Sequence, residues 1–137
     1  RVQRTYQLLQ AKETAFVLVA SPEEQVLSEA EYFCRKMSDL HMPLRAVVFN
    51  RAHFECGADL TRAEGERLVR DLVEAAEAER LLANFERYEV LAGGDAVRME
   101  DFRSRLPRRV VTAEVPNFDS DLHDIDGLRR MHPFLFP

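Results

Sequence analysis

Hydrophobic positions along the chain follow two rhythms. Three short runs are apolar at consecutive positions and rich in β-branched residues: TAFVLVA at residues 14–20, LRAVVFN at 44–50 and RVVTAEV at 109–115. Such runs predict strands. The first is apolar on both faces, which suits a strand covered on both sides, as in a parallel sheet. Between and around them the apolar residues recur every three or four positions, the spacing of a helix with one buried stripe.

The element that organises the rest spans residues 14–40. Its strand is followed by Ser21-Pro22-Glu23-Glu24, a helix start in which Ser21 caps, Pro22 takes the first helical position and Glu24 completes a capping box. Val26, Ala30, Phe33, Met37 and Leu40 then form the expected stripe. Pro43 stops this helix and the second strand follows, so strand, helix and strand make a right-handed parallel βαβ unit.

Elsewhere the pattern predicts a helix end over residues 1–11, with Val2, Leu8 and Leu9 for packing. Residues 51–59 read as a loop carrying His53, Cys56 and Gly57. A long helix runs from Leu60 to about Val90, with a break near residues 77–80, and Gly93-Gly94 serves as its C-cap and end. A further helix covers residues 97–106, up to Pro107. The third strand closes at Pro116, and residues 117–126 make an acidic loop. A turn or two of helix at 127–131 precedes an apolar tail at 132–137.

The sum is one α/β domain over residues 1–137, a three-layer arrangement with a mostly parallel sheet flanked by helices. Three strands are few for such a fold. With a first residue that is not Met, this predicts that further strands lie upstream.

Composition changes this picture little. The chain has 137 residues, 46% of them hydrophobic and 31% charged, as in ordinary globular domains. A net charge of −5 argues against a nucleic-acid partner, which selects for a basic face. No apolar run reaches the length of a membrane span. Cys34 and Cys56 make no disulfide framework, so a reducing cytoplasm is expected, with Cys34 as a buried thiol.

Open parallel sheets bind ligands outside the carboxyl ends of their strands. Here those ends are residues 20–23, Asn50-Arg51 and residues 116–119, all expected on one rim. Asn50 can read a base edge or serve as a plain turn residue. Pro116 and Phe118 offer flat apolar surface. Glu23 and Glu24 sit at a helix start on this rim, where they take part in a site or merely complement the dipole. His53 and Cys56 are too few for a closed metal site, and the chain is expected to hold no metal there. The acidic loop with Asp119, Asp121, His123, Asp124 and Asp126 reads as solvated surface.

TAFVLVASPEE, then LRAVVFNR, then VTAEVPNFDSDLHDIDGL, in that order and spacing, resemble the C-terminal part of the ArsA-like family of anion-transporting ATPases. That family belongs to the deviant Walker P-loop group, with the MinD and ParA proteins. The resemblance covers almost the whole chain. It implies the C-terminal half of a P-loop NTPase-like fold and an ATPase that couples ATP hydrolysis to transport or protein targeting. It implies an adenine site at Asn50 with Arg51 beside it, and an adenine-packing loop at Val115, Pro116, Asn117 and Phe118. It also implies that Pro22 and Glu23 lie near the nucleotide and the dimer interface. ATP or ADP with Mg would be the cofactor of the full-length protein, in a homodimer or a pseudo-dimer with a related subunit. An unidentified protein partner, a membrane-associated one among the alternatives, would be its client.

The departures are as informative. There is no G-x-x-x-x-G-K-[ST] motif to cradle phosphates, the Cys-x-x-Cys pair of the targeting members is reduced to Cys56, and no Met-rich helix is present. The expectation is therefore an adenine-side portion that does not hydrolyse ATP alone. The alternative is a non-catalytic α/β module that binds another protein.

Overall fold

A computed structural model describes residues 2–56 and 61–136. The elements in chain order are α1 (Val2–Gln10), β1 (Phe16–Ala20), α2 (Glu24–Asp39), β2 (Leu44–Ala52), α3 (Arg62–Arg70), α4 (Ala75–Ser104), β3 (Val111–Pro116) and α5 (Ile125–Leu135). The protein is α/β, with a three-stranded parallel sheet in the order β1-β2-β3 flanked by helices. The chain divides into two compact units. One comprises residues Arg1–Ala52 and Val97–Pro137, the other His53–Ala96.

The sheet unit holds most of the core. β2 lies in the middle, and Val47 and Phe49 are fully buried on the face that the helices cover. Phe102 from the end of α4 meets Phe49 edge to face, with ring centroids 5.8 Å apart. Arg103 lies over the same ring at 5.9 Å and binds Glu114 of β3. In α2, Leu27 and Ala30 are buried on this side.

The other face of the sheet departs from the expectation of a strand covered on both sides. Val17 and Val19 of β1 are 57% and 58% exposed, and Val111 of β3 is 66% exposed. Pairing places them in two apolar rows: Val17 with Ala46 and Val111, and Val19 with Val48 and Ala113.

Several local expectations are corrected. The first turn of α2 is not capped by Ser21. Its N-cap is Glu23, without a side-chain cap bond, and Ser21 Oγ donates to Glu23 Oε1 instead. Pro22 precedes the helix and is fully buried. The buried stripe of α2 runs through Leu27 and Ala30, with Cys34 and Met37 half-buried, while Phe33 and Leu40 face solvent. Both stripes obey helical spacing, so periodicity alone could not choose between them. Phe33 pairs with Tyr32 on the surface, at 6.1 Å. In α1, Leu8 is 63% exposed and contributes little packing.

In the helical unit the break falls between Arg70 and Ala75, not at residues 77–80, and α4 then runs straight through Gly93-Gly94. A glycine weakens a helix by about 1 kcal/mol but does not end it when neighbouring turns are sound. The helix predicted at residues 97–106 is the last part of α4. At the C-terminus α5 absorbs residues 132–135 of the expected tail, with Pro133 inside it. Its N-cap Asp124 accepts the Gly127 amide at 2.7 Å. A Cβ on Gly127 would sit 3.1 Å from Asp124 Oδ1 and 3.2 Å from Leu122, so a larger residue there would press on this close turn.

Candidate functional site

β2 and β3 end in an irregular junction. Phe49 pairs with Glu114 and the next partners are Ala52 and Pro116, so Asn50 and Arg51 lie opposite Val115 alone. This is a bulge, and it bends the strand and re-aims its side chains. Arg51 takes φ 59, a left-handed conformation that costs a non-glycine residue on the order of 1–2 kcal/mol. Pro116 has no N–H to donate, and the ladder closes beyond it where the Asn117 N–H donates to Ala52 O at 2.9 Å.

The bulge opens a cleft of about 450 Å³ at the carboxyl ends of these strands. Asn50, Arg51, Pro116, Asn117 and Phe118 line it, and residues 120–122 with Met131 of α5 close it. The volume is in the range of small-molecule sites. Asn50 is half-buried and its side-chain amide has no hydrogen-bond partner among the described residues. Arg51 is exposed and likewise unpaired among them.

The far wall is braced from α5. Arg130 lies over the Phe118 ring at 4.9 Å and donates to Asp119 at 2.9 Å and Ser120 at 3.3 Å. The hydrogen bond and charge of Arg130 hold the Asp119 carboxyl below its ordinary range. Phe134 meets the edge of Phe118, with ring centroids 6.0 Å apart. Phe118 therefore enters the cleft as a fixed wall.

Five of the eight residues singled out from sequence thus come together, and three do not. Val115 is completely buried, so its side chain belongs to the core. Pro22 is buried as well, and its carbonyl accepts from Arg98 Nε at 2.6 Å. Glu23 is an exposed N-cap outside the cleft.

The helical unit contains a pairing that sequence reasoning missed. Asp95, 4% exposed, is buried in α4. Its Oδ2 accepts the His53 backbone N–H at 2.9 Å and lies 2.7 Å from His53 Nδ1. Tyr88 meets the His53 ring edge to face at 5.7 Å. Earlier in α4, Glu89 accepts the Cys56 N–H at 3.1 Å. The Asp95 signal was available as an acidic residue among alanines and glycines inside a helical pattern. Its partner, 42 residues earlier, could not be read from spacing.

Neither thiol is tuned as a nucleophile. Burial, then Glu31, raises the Cys34 thiol above its ordinary value, and desolvation, then Glu89, raises Cys56. A reactive cysteine needs the opposite shift. Among the described residues no three His, Cys, Asp or Glu side chains gather as a metal-holding group, and no helix is long and apolar enough to cross a membrane. Comparison with known proteins finds no family model and no curated protein that matches this chain.

Proposed function

We propose that the cleft at the ends of β2 and β3 holds the base of a nucleotide, adenine in the first instance. In this reading the chain is the adenine-side portion of an ArsA-like ATPase that couples ATP binding and hydrolysis to transport or protein targeting. The observation that carries it is the half-buried, unpartnered Asn50 amide in a cleft whose other wall is Phe118. An amide offers a donor and an acceptor side by side, which matches the edge of adenine. Pro116 and the free side of Phe118 give the base a flat apolar seat.

The same residues do not form a phosphate cradle. The chain carries no G-x-x-x-x-G-K-[ST] sequence, and neither Asn50 nor the 116–118 loop replaces a row of backbone N–H donors at a helix start. The phosphates and their Mg would be held by other parts of a longer protein or by a partner subunit. The chain alone is proposed to bind the base without hydrolysis.

Calorimetric titration with Mg-ATP, on this chain and on a form extended towards its native N-terminus, tests this. Asn50→Ala should weaken binding about 10-fold or more, since a well-placed hydrogen-bonding pair contributes about 1–3 kcal/mol. Unchanged affinity in the variant would contradict the assignment of Asn50.

A second reading has one observation in its favour. The apolar sheet face bearing Val17, Val19 and Val111 is open, as expected of a non-catalytic module that binds another protein. Competition between nucleotide and such a partner would count against that reading.

A further inference from the structure

The amino ends of the strands carry a second cavity, which plays no part in the nucleotide reading. Its volume is about 440 Å³. Ser38 and His41 at the end of α2, residues 42–44, and the side chains of Arg45 and Arg109 line it. No carboxylate is among them.

Charge is the first feature. The chain has 24 acidic residues against 19 Lys and Arg, so guanidinium groups have ample partners. Arg35, Arg70, Arg103, Arg105, Arg129 and Arg130 each pair with a carboxylate. Arg45 and Arg109 have no ion pair or hydrogen bond among the described residues, although both line one cavity. Two unpaired cations that line one cavity repel one another, and an anion bound between them removes that repulsion.

Backbone conformation is the second. α2 ends in a Schellman closure, with His41 N–H donating to Ser38 O at 3.0 Å and Met42 N–H to Met37 O at 2.8 Å. His41 occupies the left-handed position at φ 55. Glycine is the default residue there because any Cβ is strained, although histidine is tolerated better than most. A strained side chain that lines a cavity is a sign of use rather than of packing. The end of a helix is its negative pole, which works against an anion. Here the carbonyls of Lys36, Met37 and Ser38 already accept from the N–H groups of Leu40, Met42 and His41, respectively, so that pole is largely satisfied.

We propose that this cavity is a binding site for an oxyanion, the phosphate or carboxylate group of a small organic molecule. The planar forks of Arg45 and Arg109 suit two or more oxygens of either group. His41 and Ser38 add an N–H and an O–H donor. Half-buried Met42 and Pro43 face the apolar body of the ligand.

The test is a pair of NMR titrations, with inorganic phosphate and with succinate, following the amides of residues 38–45 and 109–111. Saturable shifts at these positions with either anion are expected. Phosphate alone would assign a phosphate ligand, and succinate alone a carboxylate. Arg45→Gln with Arg109→Gln should weaken binding at least 10-fold. Arg109→Gln alone, outside the strand, should weaken it measurably with the fold intact. His41→Gly should weaken binding while the melting temperature stays level or rises, which separates a ligand role from a structural one. No saturable shift with either anion, or shifts that persist undiminished in both arginine variants, would overturn the proposal.

Discussion

The two units of this protein are held by different forces. In the sheet unit the fully buried side chains are apolar: Phe49, Val47, Val115 and Pro22. Among the described residues of the helical unit Ala78 and Ala92 are the buried apolar ones, and Leu68, Leu72, Leu81, Val90 and Leu91 are largely exposed. What fixes that unit is polar. Asp95 ties down His53, Glu89 ties down Cys56, and Thr61 and Glu64 close a capping box on α3. Apolar burial gains by area and tolerates small shifts, whereas a buried carboxylate demands its partners in place. The lesson is that one chain can be stabilised by area in one unit and by geometry in the other.

The sharpest way to break this contrast is to empty the sheet core. Phe49→Ala should destabilise the protein by about 3–5 kcal/mol, because it removes the ring packed by Phe102 and covered by Arg103. Denaturant unfolding would measure it, and a loss below 1 kcal/mol would mean that Phe49 is not the centre of the core.

Asp95→Ala should cost less, about 1–3 kcal/mol, since it strands the His53 amide and ring. Hydrogen exchange should show lost protection at His53 with the β2 amides unchanged. Equal loss across the sheet would show that the two units unfold together.

The smallest effect concerns the α3 cap. Hydrogen bonds from the Thr61 hydroxyl and backbone to Glu64 lower the Glu64 pKa. A group depressed in the folded state stabilises above its unfolded pKa and loses that contribution as pH falls through the folded value. Helical signal from α3 should therefore fade on acidification below the ordinary glutamate range. Thr61→Ala should remove the pH dependence.

The strands, the span of α2 and the rim at the ends of β2 and β3 were legible in sequence because each rests on a local signal. Branched runs, Pro43 and the Asn50 and Pro116 strand ends all fell where expected, within a residue or two. What was not legible depended on distant partners. Nothing local says that Val17 and Val19 would stand on an open face, or that Pro22 would be buried under Arg98. The helix end expected at Gly93-Gly94 failed for a related reason: the helix on both sides outweighs two weak residues. Of the candidate site, the residues on strand ends converged because the topology puts them there. The bulge at Asn50-Arg51 and the bracing of Phe118 by Arg130 came from pairing between strands and between loop and helix, which no spacing reveals.

The central claim is that the cleft between Asn50 and Phe118 receives a purine base. The most direct measurement is amide shift mapping with adenosine, which carries no phosphate and so bypasses the cavity at the opposite edge. The account predicts saturable shifts at residues 50–52 and 116–118, lost in Asn50→Ala. Shifts elsewhere, or none at all, would contradict it.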